Sequence, residues 1–305
     1  VVFYVARRLG NTVTVALGVA AAVFVLLHLS GDPVMLLVPA DAPPEVVDTT
    51  RHELGLDRPL PEQFLRYIAR VAAGDLGTSL RFNRPVAQLM AERLPRTIEL
   101  TLAALLLAVA IAIPAGILSA LTRGRFLDQL TMVLAVSGQA LPVFWLALLL
   151  IWLFALKLGW LPVFGYGTPA HLVLPAVSLS TIVVGRLARI VRASMLEVLG
   201  QDYIRTARAK GLGEGRVIAR HGLQNAAIPI VTVIGLQLAQ LLGGAVVTEA
   251  VFAWPGVGSL AAQAVFDRDF PVVQGVTLVT STIFVVANLA VDLTYVALNP
   301  RIRLE

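Results

Sequence analysis

The residues able to carry chemistry are few and badly spaced for it. The histidines His28, His52, His171 and His221 fall in four separate segments, with no His-x-x-x-His pair and no acidic partner at ligand spacing, so no metal centre is expected. The chain has no cysteine, which excludes disulfides, thiolate ligands and thiol nucleophiles. There is no Gly-x-Ser-x-Gly elbow and no Gly-x-x-x-x-Gly-Lys-Ser/Thr. The nearest glycine-rich piece, Gly211-Leu212-Gly213-Glu214-Gly215, follows a helical pattern rather than a strand, so it is neither a phosphate cradle nor a dinucleotide fingerprint. The chain is expected to bind no cofactor and catalyse no covalent step.

A second set of polar residues lies inside long apolar runs. Gln237, Gln240, Gly244 and Thr248 recur at helical spacing on one face, as do Ser178, Thr181, Gly185 and Arg189, and then Ser281, Asn288 and Asp292. Lipid does not accept such residues facing outward, which makes Gln237, Gln240, Gly244, Thr248, Ser178, Thr181 and Asn288 candidates for a translocation path between helices. The same pattern also fits interhelical hydrogen bonding and close packing.

The elements that must position these residues follow from composition. Of the 305 residues, 57% are hydrophobic and only 14% charged, against roughly half and a quarter in a soluble domain, so the chain reads as an integral membrane protein. A crossing needs about 20 apolar residues. The runs Leu9 to Gly31, Leu100 to Thr122, Gln129 to Leu156, His221 to Thr248 and Phe270 to Val291 hold no Asp, Glu, Lys or Arg. A sixth run, about His171 to Arg192, is interrupted by Arg186 and Arg189, whose side chains can snorkel to an interface. The expected fold is therefore all-α and polytopic, with six transmembrane helices.

Orientation comes from the short loops. Arg7 and Arg8, Arg123 and Arg125, the stretch Arg192 through Arg220, and Arg301 with Arg303 mark one side; Lys157 and Arg268 are alone on the other. Basic short loops face the cytoplasm, so both termini are expected inside a bacterial plasma membrane and residues 32–97 outside. A net charge of +5 is accounted for in this way and does not call for nucleic acid. The first run reads as a membrane helix rather than a cleaved signal peptide, being longer than the usual signal core and lacking an Ala-x-Ala site. The external segment carries three helical patterns: one opening at Pro43-Pro44-Glu45 and stopping near Gly55, one from Pro61 to Ala73, and one from Pro85 to Leu94 leading into Pro95. The organisation expected is thus 1–31 for the N-terminal segment and first span, 32–97 for the external helices, and 98–305 for a five-helix core with a loop at 193–225.

That loop is the most polar part of the chain. A short amphipathic helix, Asp202 to Lys210, is expected to end at Gly211, the residue type that tolerates a left-handed C-terminal cap. A second helical stretch begins near Glu214 and returns to the bilayer at Pro229. A polar, basic helix held at a membrane surface, on a chain with no engine of its own, is a place for an outside protein to dock.

Six spans, a large external segment and a helix-Gly-helix loop together resemble one family, the membrane subunit of ATP-binding-cassette importers of the dipeptide/oligopeptide/nickel class. The residues carrying the resemblance are Gly31-Asp32-Pro33, Gly74-Asp75-Leu76-Gly77, the run Asp202-Tyr203-Ile204-Arg205-Thr206-Ala207-Arg208-Ala209-Lys210-Gly211-Leu212, and Arg220-His221 with Asn225 and Pro229. Pro255-Gly256-Val257-Gly258, Asp292-Leu293 and Asn299-Pro300-Arg301-Ile302-Arg303 complete it. Importer permeases in general carry Glu-Ala-Ala before the loop glycine; here Arg205, Thr206 and Ala207 stand at those places, which matches the peptide/nickel class.

The resemblance implies a second, homologous permease subunit, two ATPase subunits that hold ATP and Mg, and an extracytoplasmic solute-binding protein. It also implies that Asp202, Tyr203, Ile204, Arg205, Thr206, Ala207, Arg208, Lys210, Gly211 and Leu212 couple the chain to one ATPase. Tyr203, Ile204 and Ala207 would supply the apolar contact, and Arg205, Arg208 and Lys210 the charge. Di- or oligopeptides are the substrate expected. Nickel is the alternative within the class, and an ion-coupled secondary transporter is the alternative outside it.

Overall fold

The computed structural model describes residues 42–53 and 55–298, together with residues 10, 14–15, 17–25, 34 and 38. The Gly31-Asp32-Pro33 and Asn299–Arg303 pieces of the resemblance lie outside the described residues. The order of helices is α1 (Pro44–Glu53), α2 (Leu60–Ala72), α3 (Val86–Leu121), α4 (Phe126–Ala140), α5 (Val143–Leu150), α6 (Pro169–Leu199), α7 (Asp202–Ala209), α8 (Gln224–Val251), α9 (Val257–Phe266) and α10 (Phe270–Leu298). Two wide π-helical turns extend α5 through Ile151–Lys157 and lead into α8 through Val217–Leu223. Among the described residues the only β pairing is an isolated bridge between Thr78 and Pro85.

Among the described residues, four helical stretches are long and apolar enough to cross a membrane: Val86–Leu121, Pro169–Leu199, Glu214–Gly243 and Phe270–Leu289. The run Gln129 to Leu156, expected as one span, is two helices. Leu141 is extended (φ −92°, ψ 135°), as a residue before proline prefers, and Pro142 then starts α5, so α4 and α5 meet at a bend of 102°. Counted as one bent span, the pair makes a fifth. The first expected span falls largely outside the described residues, of which 17–25 are helical.

A second expectation also changes. The helix expected over Pro85 to Leu94 does not stop at Pro95 but continues into the following span as the 36-residue α3. Proline removes one amide donor and crowds one carbonyl, and an otherwise strongly helical apolar sequence of membrane type tolerates that loss.

The chain divides into two units, residues 1–96 with 255–285 and residues 97–254 with 286–305. In the first, the amphipathic α2 turns Phe64 and Tyr67 onto Phe24 of the helical stretch 17–25, with ring centroids 5.4 and 6.2 Å from it. A tight loop at 78–85 is held by Asp269, which is buried and accepts from the Ser79 hydroxyl and from the amides of Leu80 (3.1 Å) and Arg81 (3.2 Å). Val86, Leu89 and Met90 pack with Val257, Leu260, Val272 and Val276 into a separate apolar cluster.

In the second unit α6 is the hub, packed on by α4, α5 and α8. Small residues let the backbones approach, as they do where lipid supplies no hydrophobic drive between helices. A Cβ on Gly116 of α3 would sit 2.6 Å from the Val191 Cβ of α6, one on Gly185 of α6 2.6 Å from the Ala135 carbonyl oxygen of α4, and one on Gly138 3.1 Å from the Thr181 Cβ.

Candidate functional site

The short polar helix α7 is built by local rules. Gln201 is extended (φ −77°, ψ 151°), Asp202 places a carboxylate in the first turn where the helix dipole favours it, and Arg208 places a cation in the last. The helix ends in a complete Schellman motif. The Gly211 amide donates to the Arg208 carbonyl at 2.9 Å and the Leu212 amide to the Ala207 carbonyl at 3.3 Å. This geometry requires Gly211 to be left-handed, and its φ is +76°.

Leu212 then folds back onto a small apolar cluster made by Ile204, Ala207 and Val217, with Val198 and Leu199 from the end of α6. The cluster fixes which face of α7 is free. Ile204 is fully buried and Ala207 nearly so, so two of the three residues expected to supply apolar contact to a partner are already committed within this chain. The reason is the amphipathic spacing itself: positions 204 and 207 lie on the face that must cover α6 and the start of the following helix. Tyr203, at 43% exposure, remains outward, together with Asp202, Arg205, Thr206 and Lys210. Arg205 reaches back to Asp202 at 3.2 Å. Arg208 is held across the Gly211 turn by Glu214, through Nε to Oε1 at 2.7 Å and Nη2 to Oε2 at 3.3 Å.

Beyond Glu214 the chain widens into the π-helical turn Val217–Leu223 before α8 begins. The Asn225 side chain donates to the His221 carbonyl at 2.7 Å, giving that oxygen a partner where the backbone ladder is irregular.

The polar residues inside the apolar helices are not uniformly placed. On α8, Gln237 is buried and Gln240 exposed, although three residues apart, and Thr248 is fully buried. Gly244 lies within the same helix. On α6, the buried Ser178 donates to the Pro175 carbonyl at 2.9 Å and Thr181 to the Ser178 carbonyl at 2.7 Å, while the Thr181 side chain abuts Gly138. Asn288 is half-buried on α10. The packing of α6 against α8 brings the first two groups onto neighbouring helices.

Two polar clusters are assembled by packing between segments far apart in sequence. Asp128, in the first turn of α4, is almost fully buried and meets Arg192, Ser119 and the Gly124 amide. Glu249, fully buried near the end of α8, accepts from the Thr97 hydroxyl at 2.7 Å. Both carboxylates lie at the edges of apolar runs, where a charge is easily taken for a loop residue. Among the described residues no group of His, Asp and Glu could hold a metal ion.

Comparison with known proteins bears on the family and the fold. Residues 112–304 match the family described as binding-protein-dependent transport system inner membrane component, and residues 1–101 match the N-terminal part of binding-protein-dependent transport system membrane components. A glutathione transport system permease protein, GsiC, of Escherichia coli O6:H1 is 45% identical over 301 residues, covering 98% of both chains. A dipeptide transport system permease protein, DppB, of Alkalihalophilus pseudofirmus is 42% identical over 329 residues, covering 98% of this chain and 99% of its own. Among solved structures, the inward-facing MetNI methionine ABC transporter aligns over 70% of this chain and 97% of its own at 22% identity, with a TM-score of 0.59, which is a likeness of fold.

Proposed function

Because this chain belongs to the family of binding-protein-dependent transport system inner membrane components, we propose that it is one half of the pore of an ATP-driven importer of di- or oligopeptides, coupled to its ATPase through α7. Family membership itself makes the chain a multi-pass inner-membrane permease component and not a catalytic enzyme. The finer reading rests on one observation. The helix α7 is closed at its C-terminus by the Schellman bonds, packed on one face by its own chain, and left with Tyr203, Arg205, Thr206 and Lys210 directed outward.

In this reading α7 faces the cytoplasm, as the basic loops predict, and both termini lie on that side. Tyr203 fills an apolar notch on the ATPase, and Arg205 and Lys210 meet acidic side chains or carbonyl oxygens around it. ATP and Mg are held by a pair of ATPase subunits, whose closure moves α7. The helices packed behind it then exchange one discrete arrangement for another, which gives alternating access. A homologous second permease completes the pore, and a solute-binding protein delivers cargo from outside. Among the path candidates, the exposed Gln240 on α8 suits a surface shared with a second permease better than Gln237 and Thr248, which are buried within this chain.

The peptide substrate is inferred from relatives whose names specify glutathione and dipeptide transport. The test is reconstitution of the chain with its partners in proteoliposomes and measurement of ATP-dependent uptake of labelled glutathione, alanylalanine and nickel. Uptake of either peptide but not of the metal supports the proposal. Uptake of nickel alone moves the chain to the metal branch, and uptake that follows an ion gradient without ATP refutes the coupling.

A further inference from the structure

We infer that Asp128 and Arg192 are positioning residues for coupling: their clamp makes α3, α4 and α6 one rigid lever moved by α7. The inference rests on the coupling role proposed for α7.

The geometry of the clamp is complete. Asp128 is 5% exposed, and its Oδ1 accepts from the Arg192 Nε at 2.8 Å and from the Ser119 hydroxyl. Its Oδ2 accepts from the Arg192 Nη2 at 2.7 Å and from the Gly124 amide at 2.9 Å. One carboxylate is thereby shared among α4, which carries it, the end of α3 at Ser119, the turn at Gly124, and α6 at Arg192. A bidentate guanidinium–carboxylate pair fixes direction as well as distance, because both parallel bonds fail together when the groups rotate or slide. Gly124 lies in the left-handed region (φ +74°), which aims its amide at the carboxylate.

The clamp also sits where force would pass. Seven residues beyond Arg192, α6 ends at Leu199, and Val198 and Leu199 pack in the same cluster as Ile204 and Ala207 of α7. On the other side of the clamp, Gly116 lies against Val191, and further along α6 Gly185 lies against Ala135 and Gly138 against Thr181. Apolar packing between these helices would hold them together yet leave them free to slip. The fork between the buried Asp128 and the partly buried Arg192 removes that freedom at the end nearest α7. Removing the guanidinium leaves the buried Asp128 without its counter-ion, and removing the carboxylate charge leaves the partly exposed Arg192 free to turn to water; either change loosens the helices at that end.

The chain has no cysteine, so labels can be placed singly. Arg125 and Glu197 are exposed and lie on the two sides of the clamp. Spin labels on Arg125→Cys and Glu197→Cys, read in the assembled transporter in nanodiscs, report whether the helices move as one. The expected result is a narrow distance distribution that is unchanged by ATP in the parent. In Asp128→Asn the distribution broadens or shifts with ATP, stimulation of ATP hydrolysis by the binding protein falls by about tenfold, and the ATPases still co-purify. If Asp128→Asn fails to assemble, Arg192→Lys keeps the charge, removes the fork and is read in the same way. An ATP-dependent distance in the parent overturns the rigid lever. So does a variant with a narrow, unchanged distribution and full stimulation. Loss of ATPase association is the signature of a failed α7 contact and is separately visible by co-purification. Its appearance in the clamp variants would assign Asp128 to assembly instead.

Discussion

Arg208 and Glu214 form a two-bond ion pair across the Gly211 turn, joining the last turn of α7 to the start of the stretch that returns to the membrane. The pair makes the elbow a closed unit: the Schellman bonds fix the backbone, and the guanidinium and carboxylate fix the angle outside it. It also withdraws Arg208 from the charges offered to a partner, leaving Arg205 and Lys210.

Both members of that pair are solvent-exposed, and an exposed ion pair contributes only about 0–1 kcal/mol. Glu214→Gln should therefore leave expression and melting temperature unchanged. It should lower ATPase association less than Lys210→Glu does, because Lys210 is a contact charge in this account. Equal loss in the two variants, measured by co-purification, would place Glu214 in the contact itself.

Tyr203 and Ile204 are neighbours with opposite duties. Tyr203→Ala should leave the chain stable and weaken ATPase association. Ile204→Ala removes a fully buried side chain from a small cluster and should cost roughly 2–5 kcal/mol locally. Limited proteolysis between residues 200 and 216 should separate them, with only the Ile204 variant becoming susceptible. The opposite pattern would mean that α7 presents its other face.

Close helix packing makes a sharp contrast between two glycines. A methyl at Gly116 would lie 2.6 Å from Val191 and 2.8 Å from the Ala188 carbonyl, whereas one at Gly213 meets nothing within 4 Å. Gly116→Ala should cost about 1–3 kcal/mol through overpacking, seen as a lower melting temperature in detergent. Gly213→Ala should not lower it. Equal melting temperatures would show that α3 and α6 are not in contact at this level.

Sidedness is testable without disturbing the fold. Cysteines introduced at Glu62 or Arg84 should react with an impermeant thiol reagent added to the periplasmic face, and one at Arg208 should not. The reverse pattern would invert the orientation drawn from the basic loops.

How far the sequence carried these conclusions differs from element to element. The bounds of α7 and the need for glycine at 211 follow from local rules, capping and left-handed backbone, so they are readable from a few residues. The face that α7 buries was misread at Ile204 and Ala207, because amphipathic spacing shows that one face is apolar but not whether its own chain or a partner covers it. The bend at Leu141-Pro142 carried a clear local signal, a proline within an apolar run, which hydropathy alone conceals. The continuity of α3 through Pro95 had no such signal, since a membrane-type helix can absorb a proline that would end a soluble one. Asp128 was invisible as a clamp, because its partners Ser119 and Arg192 are assembled by packing across α3, α4 and α6.

The central claim is that α7 transmits the ATPase stroke, and a substitution series at Gly211 tests it most directly. The residue is left-handed with open space around it, so any effect there is one of backbone conformation rather than crowding. Asparagine tolerates this region, alanine costs about 1 kcal/mol, and a β-branched residue costs more. With the chain inserted at normal levels, ATP-dependent peptide uptake should stay near the parent's for Gly211→Asn, fall for Gly211→Ala and vanish for Gly211→Val, with ATPase association weakened or hydrolysis uncoupled in the last. Normal uptake by Gly211→Val at normal expression would contradict the claim.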